Sequence, residues 1–495
     1  MGAISNMECA SGNLLVSGDA RASFEMIINL RGIDQLCRRV TICALPNDVL
    51  LKIFGFHADR SLWPPEDTLD AWHTLVHVCR QWRCVVFAFP RSLNLRLRCT
   101  NRRSVEMMLN VWPALPIVVE ICSGTSQTQD QRNIIAALGQ RDRVRQIDLS
   151  PIPIWLLERI NTIKGPFPVL TDFKLYATSE MTVVLDDIFL GGSAPRLRSL
   201  HLNGIQFPAL PILLLSTFEL VDLELCNIPD FGYISPESMV TSLASLTKLQ
   251  KLFLGFQSPQ SRGTTNRFPL PPFTRIVLPV LISLRFISDP WYFEDFFSRI
   301  DAPLLDCIDI EAFDYVAFDT PQLRDLISRT EAFKEPHRAV IQFFNSHIFL
   351  EVFSRGVTTD HKLLELRTPQ MPWHQQPSSF THFSSSALPP LPTLQRLEIH
   401  KCGGRWDVPI GNNERLEFLR PFTSVKNLVL FDDASEYFAP VLQGLCVESA
   451  SGTLPALEHL SLKAPVLFAP TQEAIVQFIA TRQLSSCPVT VFCDE

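Results

Sequence analysis

His73 and His77 stand four residues apart, the spacing that puts two imidazoles on one helical face where a metal ion could sit. A hydrolytic zinc site of the H-E-x-x-H type also needs a glutamate after the first histidine, and Thr74 occupies that position. No third ligand is evident. The 13 cysteines run from Cys9 to Cys493 without a C-x-x-C pair or a Cys/His cluster at zinc-ligand spacing. No nucleophile elbow, Walker loop or dinucleotide-binding glycine fingerprint occurs, and Gly403-Gly404 is an isolated turn. Carboxylates are spread along strand-like segments, where solvated faces explain them better than acid–base pairs. The pattern points away from an enzyme and implies no cofactor and no metal. The enzyme alternative requires an active site hidden on the large C-terminal part.

The elements that would position such residues are those of a globular chain: 46% of the 495 residues are hydrophobic and 19% charged. A net charge of −7 gives no general attraction to phosphate backbones or anionic membranes, so no nucleic acid partner is expected. No apolar run approaches the roughly 20 residues of a membrane span, and no membrane partner is expected either. The first residues lack a basic region followed by an apolar core, so they are not read as a secretory signal. Asn6 stands where a myristoylation motif wants Ser or Thr. With scattered, unpatterned cysteines, these features place the chain in the cytoplasm or nucleus with reduced thiols. Residues 1–40 are expected to form a disordered tail.

Between 41 and 90 the periodicity predicts three short helices. Pro46 fits a first helical position, and Val49, Leu50, Ile53 and Phe54 form an apolar stripe that Gly55 closes. Trp63-Pro64-Pro65 predicts a loop over 57–69. Trp72, Leu75, Val76 and Cys79 make a second helical set. Val78, Trp82, Val85 and Val86 continue it on a further turn or a separate helix. A unit of about 50 residues rarely has a sufficient core of its own, so its apolar stripes must pack on something else, either the rest of the chain or a partner.

Leu45-Pro46, Ile53-Phe54, Val78-Cys79 and Trp82-Arg83 resemble, in order and spacing, the F-box signature that opens on L-P and closes on V-C-x-x-W-R. The proline-bearing loop departs from that pattern as an insertion between the first two helices. WHTLVHVCRQWR leading into FPRSLNLRL is also similar to a large, expanded group of fungal F-box proteins. The resemblance implies a helical trap that binds a Skp-type adaptor, and through it cullin and RING subunits of a ubiquitin ligase. The adaptor-binding residues it implies are Leu45, Pro46, Val49, Leu50, Ile53, Phe54, Val78, Cys79 and Trp82. Short amphipathic helices without a core of their own are natural partners for a hydrophobic groove.

From 91 onward the pattern apolar-x-x-apolar-x-apolar recurs ten times: at 144–149, 170–175, 197–202, 220–225, 249–254, 281–286, 305–310, 394–399, 425–430 and 457–462. Successive starts lie 23 to 32 residues apart except for one gap of 89, which would hold two degraded units near 340–343 and 363–366. Earlier candidates are 93–97 and 115–119. A proline precedes the first apolar position by two residues at Pro168, Pro195, Pro279, Pro303, Pro392 and Pro455. The expected fold class is α/β: a short three-helix F-box, then an irregular leucine-rich-repeat solenoid over 91–495 with parallel strands on its concave face. Loops rich in Ser, Pro and polar residues interrupt it at 256–273 and 367–392, the second carrying Trp373, Phe380 and Phe383. Such loops are expected either to reach over the concave face and help hold a partner or to be disordered.

Strand alternation sends the third and fifth pattern positions to the concave face, which presents six acidic against four basic residues. This mixed column suits a protein partner. Phe253, Arg285 and Arg396 are the candidate substrate-binding anchors, because aromatics and arginine dominate interface hot spots. The competing reading packs Phe253 under the 256–273 loop and leaves the arginines to solvate the face. Two functions fit: the substrate-recognition subunit of an SCF-type ubiquitin ligase, or an adaptor-bound F-box scaffold or regulator acting outside a cullin ligase. The substrate itself is not legible.

Overall fold

The computed structural model describes Ile42, residues 45–59, 71–121, 128–258, 275–313, 320–368, Leu388, 391–402, Leu419, 422–431, 454–463, 469–484 and 488–493. Breaks fall at 91, 94, 101–104, 113, 164, 178–182, 345–346 and 357–358. The expected tail over 1–40 and most of the 57–69 loop lie outside these residues. The chain divides into two compact units, with the boundary between Arg96 and Leu97.

The first unit holds three helices, α1 (Asn47–Asp59), α2 (Ala71–Val78) and α3 (Arg80–Ala88). Pro46 stands just ahead of α1 and its carbonyl accepts from the Val49 and Leu50 N–H groups. Gly55 does not close this helix, which runs one further turn to Asp59. A helix-interior glycine costs about 1 kcal/mol, less than packing recovers here. Cys79 separates α2 from α3: its backbone is extended, and its Sγ accepts from the Trp82 N–H at 3.5 Å as the α3 cap. Leu50, Phe54, Trp72, Leu75, Val76, Trp82, Val85 and Val86 are all buried. Phe54 and Trp82 meet with ring centroids 4.7 Å apart. Residues up to Arg96 belong here because the Trp72 indole donates to the Arg96 carbonyl at 3.0 Å. The strand expected over 93–97 is displaced towards the C-terminus, the first strand running from Leu97 to Thr100.

The second unit is mixed α/β and built on a 16-stranded, mostly parallel sheet. Its first strands are β1 (Leu97–Thr100), β2 (Ile117–Glu120), β3 (Val144–Leu149) and β4 (Asp172–Tyr176). They continue with β6 (Ser199–Asn203), β8 (Asp222–Ile228), β9 (Lys251–Phe256), β11 (Ser283–Ser288) and β13 (Cys307–Ala312). Short pairs β5 (Val183–Val184) with β7 (Ile205–Gln206), and β10 (Ile276–Val277) with β12 (Ile300–Asp301), lie outside it. The remaining strands are β14 (Pro336–Phe344), β15 (Ile348–Ser354), β16 (His361–Arg367), β17 (Arg396–Cys402), β18 (Asn427–Phe431), β19 (His459–Lys463) and β20 (Thr490–Cys493).

Nine of the ten copies of the pattern begin with a tight turn, the one at 144–149 being the exception. The Leu170 N–H donates to the Phe167 carbonyl, and the same bond recurs at 197/194, 281/278, 305/302, 394/391 and 457/454. The six recurring prolines thus occupy the second position of a four-residue turn, where a fixed φ helps and no N–H is needed. Their role is to set that turn rather than to start a strand. The same bond forms at 220/217, 249/246 and 425/422 with Phe218, Thr247 and Thr423 in the proline's place. The residue ending each turn, leucine in eight and Val425 in the ninth, and the alternate strand residues, such as Leu200, Leu202, Leu223 and Leu225, are buried. Residues between them, such as Ser199 and His201, are only partly covered.

The long gap departs from the expected regularity. Strands do lie at 340–343 and 363–366, as β14 and β16, but β15 stands between them and runs antiparallel to both. The spatial order is β13-β16-β15-β14-β17, so the chain skips two positions after β13 and returns by a meander. In β15 the buried Ile348, Leu350 and Val352 alternate with Phe349, Glu351 and Phe353, a plain period of two that lacks the preceding turn. The two expected loops are shorter at their starts than read from sequence. Phe256 is buried at the end of β9, and Arg367 ends β16. Residues 259–274 and 369–387, with Trp373, Phe380 and Phe383, lie outside the described residues.

Helix Pro290–Ser298 buries Tyr292, Phe293, Phe296 and Phe297, and Phe286 of β11 packs against the last two. Its buried Glu294 reaches to the next helix, Pro321–Arg329, and accepts from the Gln322 and Leu323 N–H groups at 2.8 and 2.9 Å. Thr320, the residue before that helix, makes no side-chain cap bond. The cap is supplied by a neighbouring helix. Glu294→Ala is expected to lower stability by about 1–3 kcal/mol in urea unfolding, the cost of orphaned buried donors.

Candidate binding surfaces

On α1 the residues Pro46, Val49, Ile53 and Phe56 are spaced three, four and three apart and share one helical face. Pro46 and these three apolar side chains are exposed, Phe56 at 75%, while Leu50 and Phe54 turn inward. α2 ends on Val78, which is 57% exposed, and Ile42 is exposed ahead of α1. The nine residues implied by the F-box resemblance therefore divide. Pro46, Val49, Ile53 and Val78 are at the surface, Leu45 and Cys79 are half-buried, and Leu50, Phe54 and Trp82 form the core behind them. Phe56 was missed because Gly55 was read as the end of the helix, and Ile42 because it stands ahead of the helical pattern. His73 is buried with its ring against Trp72, whereas His77 is exposed. The two imidazoles do not converge on one site.

The second surface is the polar face of the sheet. The alternation places third and fifth positions there as expected, except that Glu398 and Val429 are buried. Between β6 and β8 the His201 Nδ1 lies 2.7 Å from Glu224 and its Nε2 3.5 Å from Asp222. The Cys226 thiol donates to the same Glu224 at 3.1 Å. Burial opposes the charged imidazolium, but Asp222 and Glu224 outweigh it and raise the His201 pKa to about 9. The hydrogen bond from His201 holds Glu224 at about 2. Burial, and then Glu224, push the Cys226 thiol up.

The stability contributed by His201 is complete below its ordinary value of 6.5 and lost as pH rises through about 9. That of Glu224 is complete above 4.5 and lost as pH falls towards about 2. His201→Asn should therefore lower the melting temperature at about pH 6 and leave it nearly unchanged at about pH 10. The imidazole should titrate near 9 by NMR.

From β9 to β17 the face carries arginines stacked on phenylalanines. Arg285 lies over Phe253 at 4.6 Å and forms an ion pair with Asp309 at 3.0 Å. Arg367 lies over Phe349 at 4.4 Å and reaches Glu311 and Glu365. Arg338 lies over Phe353 at 5.2 Å and grips Glu398, which Arg396 also bonds at 2.6 Å. Burial works against the Glu398 carboxylate, but His400, Arg338 and Arg396 hold it at about 2. Of the three expected anchors, Phe253 and Arg285 form one stack. Arg396 stands five strands away along the sheet order, about 24 Å at the usual strand spacing. Arg367, Arg338, Phe349 and Phe353 were missed because only the strand order brings them to this face.

No family model matches the chain, and no curated protein matches it. Among the described residues no helix is long and apolar enough to cross a membrane, and no group of three His, Cys, Asp or Glu side chains could hold a metal.

Proposed function

We propose that the protein is the substrate-recognition subunit of an SCF-type ubiquitin ligase, with an N-terminal F-box for a Skp-type adaptor and a leucine-rich-repeat solenoid for a protein substrate. The observation that carries this reading is the exposed apolar row Pro46, Val49, Ile53 and Phe56 on a compact helical unit with the L-P to V-C-x-x-W-R pattern. A folded unit that leaves such residues in water gains by seating them in a partner's groove. The repeated turn and parallel strand, with one apolar and one polar face, support the solenoid reading. Ubiquitin transfer then belongs to the cullin and RING subunits, and this chain is not an enzyme. The cytoplasm or nucleus is where such a complex works.

Affinity purification of the full chain from its native cell tests the reading. Recovery of both a Skp-type adaptor and a cullin supports it. Adaptor without cullin assigns the protein to a scaffold or regulator outside the ligase, and neither subunit overturns the proposal.

A further inference from the structure

The charged groups of the polar face are layered, and the layering reverses along the sheet. Between β6 and β8 the cation lies beneath its carboxylates: the His201 side chain is 23% exposed against 31% for Asp222 and 37% for Glu224. From β11 to β17 the order is reversed at Asp309, Glu365 and Glu398, each of which lies beneath its cations. Arg285 is 42% exposed against 22% for Asp309, and Arg396 is 46% against 5% for Glu398. Lys362 and Arg367 likewise stand above Glu365, while Glu311 and Asp360 are about as exposed as their arginines. Carboxylates underneath fix the guanidinium groups, and Phe253, Phe349 and Phe353 support them from the side. Side chains held this way lose little freedom on binding, and their outward edges present fixed donor pairs that match carboxylate geometry.

We propose that the β9–β17 stretch of this face binds a protein segment bearing acidic side chains, with Arg285 and Arg396 as its outermost contacts. This rests on the reading of the polar face as the substrate surface and specifies the class of segment it takes. The acidic outer layer of β6–β8 repels such a segment and confines it to the later strands.

The test uses the full chain and three labelled synthetic peptides in which leucine alternates with Glu, Gln or Lys, read by fluorescence anisotropy at several salt concentrations. The Glu peptide should bind, weaken with salt, and exceed both others. Arg285→Gln with Arg396→Gln should weaken it at least about tenfold, close to 1.4 kcal/mol, with the chain still folded by circular dichroism. Arg285→Lys with Arg396→Lys, which keeps the charge, covers the case in which the glutamine pair does not fold. It should weaken binding less. Lys174→Gln on β4 removes a cation outside the stretch and should change nothing. Equal binding of the Glu and Lys peptides, no binding of any, unaltered affinity in both arginine pairs, or tighter binding of a single-stranded oligonucleotide would overturn the proposal. Adaptor capture run on the same preparations reports on the helical unit alone, so its loss or retention separates failure of the functional reading from failure of this one.

Discussion

Val49→Asp with Ile53→Asp is expected to abolish capture of a Skp-type adaptor while leaving the helical unit folded. Both side chains lie on the exposed face of α1, outside the buried Phe54–Trp82 pair, so charge there costs the fold less than in the core. At an interface the same charges would be desolvated without partners, and central apolar contacts are each worth about 2 kcal/mol or more. Two together reduce affinity by about a thousandfold. Trp82→Ala is the contrasting variant. Removing a buried aromatic costs about 3–5 kcal/mol, more than a unit this small can spare, so adaptor capture is lost because α1–α3 melt. Circular dichroism of both variants, beside a pull-down, separates the two causes. Intact binding by the double aspartate variant would show that the exposed face of α1 is not the adaptor surface.

Leu223→Asp should unfold a block of neighbouring strands, with a loss of several kcal/mol from an unpaired buried carboxylate. Leu223 is fully buried near the start of β8 and lies in register between Leu200 and Leu252. Ser461→Asp places the same group on the polar face of β19 and should shift the melting temperature little. Equal damage from both would mean that the two faces are wrongly assigned. His201 is a poor control of this kind, because removing it leaves Asp222 and Glu224, neighbours on one face of β8, without the imidazolium that pairs with both.

The repeat was legible because its signals are local. A turn, a buried leucine and alternating strand residues fall within about ten positions, and each is a matter of spacing. Which of two helical faces is exposed is less local: Val49 and Leu50 are equally apolar, and only the packing of α2 and α3 assigns one to the surface and the other to the core. The charge layering was not legible at all. Arg285 meets Asp309 across neighbouring strands, but Arg367 meets Phe349 only because the chain doubles back through β15. Arg338 and Glu398 are sixty residues apart in sequence and adjacent in space for the same reason.

The reversed order β13-β16-β15-β14-β17 also constrains how the protein comes to be folded. Up to β13 each strand can dock on the one before it as it leaves the ribosome, a succession of short loop closures. β13 then has no next neighbour: its partner β16 is made only after β14 and β15, and β14 must settle three strand positions away, leaving room for two strands. The segment from β13 to β17 therefore forms in one concerted step, with a larger closure entropy than any before it. Until that step the edge of β13 stays open to other chains, making a nascent chain stalled in this interval the aggregation-prone species.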